Sequence, residues 1–176
     1  MNYADIKQYD VANGPGVRVS LFVSGCTHRC EGCFNEVAWD FKYGTPFTEE
    51  TTQRILDYLK PSYVAGITIL GGEPFEPANK KGLLPLLRRI HEQYPNKSIW
   101  MFSGYTFDTD ILGKMYDTYE ETKEILSYIE MIVDGKFELD KKNPSLRFRG
   151  SSNQRIIKVQ ESLAAGEIVL WEGMNP

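Results

Sequence analysis

Apolar positions along this chain alternate between two periods. Val19-Ser20-Leu21-Phe22-Val23-Ser24 is a β-branched and aromatic run ended by Gly25, and it predicts a first core strand. Ala65–Leu70, Ser98–Phe102, Met131–Val133 and Ile156–Val159 predict four more, with Ile168–Trp171 as an edge strand. Between them the spacing is helical. Thr48 caps a helix whose first turn holds Glu49 and Glu50, whose inward face is Thr52, Ile55, Leu56 and Leu59, and which Pro61 closes. Leu83, Leu84, Leu87, Ile90 and Tyr94 predict a second helix, with Pro85 in its first turn. Ile111, Leu112, Met115, Tyr116 and Tyr119 continue the period, as do Ile125, Leu126 and Ile129 beyond the charged Glu120–Glu124 stretch.

Such alternation predicts an α/β fold of mainly parallel strands joined by right-handed crossovers. Five or six strands are too few for an eight-fold barrel, so the expected form is a partial, open β/α barrel, one domain over residues 1–176. Strand ends carry the turn signals: the loop from Cys26, Gly71-Gly72-Glu73-Pro74, Ser103-Gly104-Tyr105 and Asp134-Gly135. The C-terminal ends of parallel strands are the usual place for α/β ligand sites.

Composition adds exclusions. A net charge of −4 gives no electrostatic reason to expect nucleic acid or a membrane surface as partner. No apolar run approaches a spanning helix, and Met1-Asn2-Tyr3-Ala4-Asp5 lacks the basic and apolar regions of a signal peptide, so a cytoplasmic location is expected. All 3 cysteines, Cys26, Cys30 and Cys33, fall within one short loop. An odd, clustered set in a reducing compartment points to metal binding or catalysis rather than disulfides.

Three readings compete for these cysteines. A structural zinc site would need His28 as fourth ligand and lacks the separated second ligand pair that such sites use, since His91 belongs to a predicted helix. A redox dithiol at Cys30-Glu31-Gly32-Cys33 leaves Cys26 unexplained. A [4Fe–4S] cluster uses all three thiolates and leaves one iron open.

Cys26-x₃-Cys30-x₂-Cys33, with Gly71-Gly72-Glu73-Pro74 after the next strand, resembles the radical S-adenosylmethionine superfamily, apart from Gly32 where many members have an aromatic residue. Asp10–Arg18 (DVANGPGVR), Leu21–Cys26, Cys30–Asn35, Trp100–Tyr105 (WMFSGY), Val133–Phe137 (VDGKF), Asn143–Leu146 and Arg149–Gln154 (RGSSNQ) narrow this. Together they resemble, from about residue 2 to 155, the activating proteins of anaerobic (class III) ribonucleoside-triphosphate reductases. Residues 108–128 and the tail after Val159 diverge.

The resemblance implies a barrel of the radical S-adenosylmethionine type. It also implies a [4Fe–4S] cluster on Cys26, Cys30 and Cys33, reduced by a low-potential electron donor, and a bound S-adenosylmethionine cleaved to methionine and a 5′-deoxyadenosyl radical. The radical would take an α-hydrogen from a glycine of the large catalytic subunit of the reductase. Cofactor contacts are then expected from Gly71, Gly72 and Glu73 to the methionine part, from Gly32 and Phe34 to the adenine, and from Cys33 as well. Ser103 is expected at the ribose or carboxylate and Asp134 at the cofactor or a monovalent cation, although both also fit plain turn roles. Gly14, Gly16, Arg18, Arg149 and Asn153 are expected on the rim where the partner's glycine loop enters. An activator of a formate-lyase type enzyme, a small enzyme acting on a metabolite, and a zinc or electron-transfer module remain as alternatives.

Overall fold

The computed structural model describes residues 1–174. Seven strands form one open sheet: β1 (Asn2–Asp10), β2 (Val17–Val23), β3 (Thr45–Pro46), β4 (Val64–Gly71), β5 (Ser98–Phe102), β6 (Met131–Asp134) and β7 (Arg155–Lys158). Their order is β3-β1-β2-β4-β5-β6-β7. The central β2, β4, β5 and β6 are parallel, as the alternation predicts. The flanks differ: β1 pairs antiparallel with β2 and β3, and β7 antiparallel with β6. A parallel return after β6 would need a crossover element. Residues 135–154 hold only the 3₁₀ turn Leu139–Lys141 and serve instead as a strap across the open side of the sheet. Ile168–Trp171 is not an edge strand; it meets β7 in one isolated bridge, Ile157 to Leu170.

Side chains alternate across the central strands. One face carries Val19, Leu21, Val23, Ile67, Ile69, Met101 and Ile132. It is covered by α1 (Glu49–Leu59), α2 (Pro77–Gln93) and, after a π-helical stretch (Phe107–Met115) and the short α3 (Tyr116–Thr118), by α4 (Glu120–Tyr128); α5 (Val159–Ala165) follows β7. Thr48 caps α1, as the sequence predicts, and Thr51 returns the bond to the Thr48 backbone. The second helix begins earlier than its apolar spacing indicates, so Pro85 lies in its interior rather than its first turn. Pro77 takes the first position, where a missing N–H costs nothing. Pro85 and Lys81, whose carbonyl loses its partner, are both exposed and water can satisfy it.

The other face is filled only toward the strands' N-terminal ends. There Trp100 meets Phe148 and Trp171 edge-on, at centroid distances of 5.7 and 5.3 Å, over Met131, Val133 and Ile156. Arg18 completes this floor. It is 1% exposed, lies 5.7 Å from the Trp100 ring, and donates to Thr68 Oγ1, Ile67 O, Ser98 Oγ, Ser98 O and Pro15 O. Burial pushes its pKa down to about 10. Arg18 is therefore not on a partner-facing rim, and neither is the buried Gly14, where a Cβ would stand 2.8 Å from Arg18 Cδ. Of that turn, only Gly16 is exposed.

Toward the C-terminal ends the face stays open, and two chain reversals interlock there. Gly72 N–H donates to Val23 O and Glu73 N–H to Gly25 O, both at 2.8 Å. Gly25 and Cys26 N–H groups donate onward to Ala38 O and Trp39 O. The fit requires glycine: a Cβ at Gly72 would stand 2.6 Å from Gly25 O, and one at Gly71, where φ is +112°, 2.7 Å from Val23 N.

Two substitutions test this frame. Arg18→Ala leaves buried acceptors unpaired and should cost about 2–4 kcal/mol in urea unfolding, with Arg18→Lys only a partial rescue; a loss under about 0.5 kcal/mol would contradict the buried role. Gly72→Ala should push the Gly25–Cys26 backbone away, measured as lost hydrogen-exchange protection at Cys26 and Glu73; unchanged protection would contradict the close contact.

Candidate functional site

A cavity of about 540 Å³ opens at the C-terminal ends of the parallel strands. Cys26, Cys30 and Cys33 line it together with Gly71, Gly72, Glu73, Ser103 and Phe34. The half-sheet behind it supplies Phe22, Leu70, Phe102 and Val133, and the strap supplies Phe137, Arg149 and Gln154. Residues far apart in sequence thus share one apolar-walled chamber with a thiol-bearing side.

The cysteine loop is held from below by one short segment, Gly71–Asn79. Asn79, in the first turn of α2, donates to Ser24 O and Glu73 O, both at 3.0 Å. Glu76 Oε1 accepts from Thr27 N–H at 2.9 Å and Thr27 Oγ1 at 2.6 Å. Glu73, 1% exposed, accepts four hydrogen bonds. His28 Nε2 (2.7 Å) and Gly104 N–H (2.7 Å) reach Oε1; Phe75 N–H (2.8 Å) and Ser103 Oγ (2.9 Å) reach Oε2. The His28 ring meets Tyr105 at 4.3 Å and leaves no room for a Cβ at Gly104, whose Cβ would stand 2.6 Å from it.

The cysteines are half-buried and unpaired by disulfide. Burial, reinforced by Glu73 and Glu76, pushes the Cys26 thiol up to about 11, against backbone hydrogen bonds from His28 and Arg29. Burial also raises Cys30. Ligation by these thiols must therefore release protons, which a cationic iron centre offsets.

Gly32 takes φ +74°, and a Cβ there would meet Leu139 Cδ1 at 2.8 Å, so it packs against the strap and does not line the cavity. Phe34, 70% exposed, packs at 5.0 Å on Phe137. Ser103, besides its bond to Glu73, accepts from Tyr105 N–H. Asp134 stands apart, in the wall of a neighbouring cavity of about 640 Å³. Arg155 binds its carboxylate through Nε (3.0 Å) and Nη2 (2.5 Å), and Phe107 N–H (2.7 Å) completes the set. The same Arg155 holds the Asp108 carboxyl below its ordinary range. Arg149 lines the first cavity, and its Nη1 donates to Gln154 O. Asn153 lines the second and donates to Lys136 O.

Sequence reasoning missed Glu76 and Asn79 as site-forming residues, and it considered His28 only as a zinc ligand, not as the partner of Glu73. The regular spacing of Glu73, Glu76 and Asn79 around the start of a helix was the available signal.

The donor set suits an iron–sulfur cluster. Its three sulfurs are the chain's only cysteines. Among the described residues no three His, Cys, Asp or Glu side chains are placed to hold a single metal ion, whereas cluster thiolates each bind a different iron. Trp39 adds a buried indole Nε1 that has no hydrogen-bond partner among the described residues and lines the same cavity. Sulfide or thiolate is an acceptor for such a donor.

Comparison with known proteins agrees with this chemistry. The family model of a 4Fe-4S single cluster domain matches residues 12–157. The anaerobic ribonucleoside-triphosphate reductase-activating protein of Pasteurella multocida (strain Pm70) is 43% identical over 160 residues, 90% of this chain and 98% of the relative. The proteins of that name from Enterobacteria phage T4 and Escherichia coli (strain K12) are each 40% identical over 156 residues. These matches cover 89% and 88% of this chain and 93% and 96% of the respective relatives. With its single-cluster cysteine loop and this similarity along nearly its whole length, the chain belongs to the family of anaerobic ribonucleoside-triphosphate reductase-activating proteins.

Proposed function

We propose that this protein is an oxidoreductase that generates the glycyl radical of an anaerobic ribonucleoside-triphosphate reductase, with a partial barrel of the radical S-adenosylmethionine type as its fold. The observation that carries the reading is the convergence of three thiols and the Gly71-Gly72 turn in one chamber closed by a strap. When bound, a [4Fe–4S] cluster and S-adenosylmethionine supply a reductive cleavage that yields methionine and a 5′-deoxyadenosyl radical able to take the α-hydrogen of a glycine in the large reductase subunit. An external low-potential donor supplies the electron.

The chain's own part is to bind, orient and exclude water. Cys26, Cys30 and Cys33 would hold the cluster, which with three protein ligands would leave one iron for the cofactor. Gly71 and Gly72, beside the cysteines on the cavity wall, bring backbone close to the cofactor's methionine part. Phe34 and Phe137 offer an aromatic pair for the adenine, with the Gly32-Cys33 backbone next to it. Ser103, on the cavity wall, would meet the ribose. Asp134 contributes from the second cavity by fixing Arg155 and the start of the π-helical stretch. The apolar sheet face and the strap keep solvent from a radical that would otherwise be quenched. Gly16, Arg149 and Asn153 belong to the rim that meets the reductase. Its proposed site of action is the cytoplasm; no helix among the described residues is long and apolar enough to cross a membrane.

Three measurements bear on this. Anaerobic reconstitution with iron and sulfide should give about four irons per chain, and Cys→Ala at position 26, 30 or 33 should remove most of them. Stable zinc, with no spectral response to S-adenosylmethionine, would refute the reading. Incubation with the reductase, a reductant and S-adenosylmethionine should produce a glycyl radical visible by electron paramagnetic resonance; a competent cluster with no such signal would require a different substrate. Arg149→Ala should lower radical formation on the reductase about tenfold, the effect of roughly 1.4 kcal/mol, while sparing reductive cofactor cleavage. Equal loss of both would remove Arg149 from the rim.

A further inference from the structure

The side chain of Glu73 is fully engaged inside the protein. An ionised carboxylate accepts at about four lone-pair positions, and the four donors on Glu73 come from three separate places: His28 in the cysteine loop, Phe75 in its own turn, and Ser103 and Gly104 at the end of β5. Since a carboxylate only accepts, the imidazole Nε2 is the donor in the 2.7 Å contact. The carboxylate is buried, so a ligand ammonium would have to displace one of these donors and leave it unpaired. We propose that Glu73 and His28 are a positioning pair: Glu73 does not receive the cofactor's ammonium but locks the first arc of the cysteine loop, through His28, to the ends of β4 and β5. This rests on the cofactor reading above for its consequence, not for its geometry.

The loop's construction shows why such a lock matters. Cys26 N–H is fixed to Trp39 O, and Cys33 N–H to Cys30 O, at 3.2 Å each. Between Cys26 and Cys30, Thr27 is tied to Glu76 and His28 to Glu73. Two carboxylates from one turn of chain thus set the path between the first two sulfurs. Arg29, at φ +52°, adds an uncommon backbone conformation that needs support from its neighbours. His28 is the more constrained of the two anchors, because its ring also fills the space against Gly104 and Tyr105 and forms part of the wall between the two cavities. Ligands held at a fixed separation before metal arrives bind a cluster without paying for loop ordering.

The test compares the full-length wild-type chain with His28→Ala and His28→Gln, the latter able to present an amide N–H where the imidazole Nε2 stands. In the metal-free proteins, exchange of the Thr27–Cys30 amides should rise about tenfold in His28→Ala, the effect of a lost contact worth about 1.4 kcal/mol, and return toward wild type in His28→Gln. After anaerobic loading with iron and sulfide, without S-adenosylmethionine, His28→Ala should hold less than about half the wild-type iron and show a broadened spectrum of the reduced cluster, with His28→Gln again restoring both. Wild-type exchange and loading in His28→Ala, with only the response to S-adenosylmethionine weakened, would overturn the proposal and return the pair to cofactor contact. Equal defects in both variants would also overturn it, by making the ring and not its hydrogen bond the requirement. A wild-type cluster that ignores S-adenosylmethionine would defeat the proposed function while leaving the exchange and loading comparison decisive for the pair.

Discussion

One buried carboxylate joins the parts of this protein that must not move relative to each other. Glu73 takes donors from the cysteine loop, its own turn and the end of β5, while its own side chain is buried. A buried charge of this kind is tolerated only when its hydrogen bonds are complete, and complete bonding makes its surroundings rigid. Backbone does the rest. Gly71 and Gly72 let the β4 turn lie directly on the Val23–Gly25 chain, so the two neighbouring strand ends and the cysteine loop form one piece.

The rest of the sheet allocates its two faces differently. The helical side is packed continuously with aliphatic residues and gives the fold its stability. The opposite side is divided along its length. At the strands' N-terminal ends Arg18, Trp100 and Trp171 fill it, and at the other ends it is left open beneath the strap. That division depends on the antiparallel β7. A chain with a crossover helix after β6 would have no long connection free to cross the open face, and the cavity would lack its wall of Phe137, Arg149 and Gln154.

The parallel centre was legible because buried strands and amphipathic helices alternate with clear periods. Ser98–Phe102 occurs in the structure with the bounds that its composition implies. The flanks were not legible. Asn2–Asp10 buries only Tyr3 and Asp10 and its pairing is interrupted by register shifts, so it shows no period-two pattern to detect. The direction of β7 depends on what the preceding connection lacks, which strand composition does not report. Within the site, the three clustered cysteines stood out by type and spacing, and the structure brings all three to one cavity. Arg18 was misread because a charged residue beside a Gly-Pro-Gly turn suggests the surface, whereas five hydrogen bonds and an indole ring accommodate it in the interior. The partnership of His28 with Glu73 spans 45 positions and depends on the sheet to bring two strand ends together. No local pattern carries it.

The proposed function rests on three thiolates that would hold a cluster and leave one iron for a cofactor. The most direct measurement is electron–nuclear double resonance on the reduced, reconstituted protein with S-adenosylmethionine labelled with ¹⁵N at its amino group and ¹⁷O at its carboxylate. The account predicts hyperfine coupling of both labels to the cluster, as atoms bound to one iron require. Absence of coupling from both, with the cofactor demonstrably bound, would contradict it.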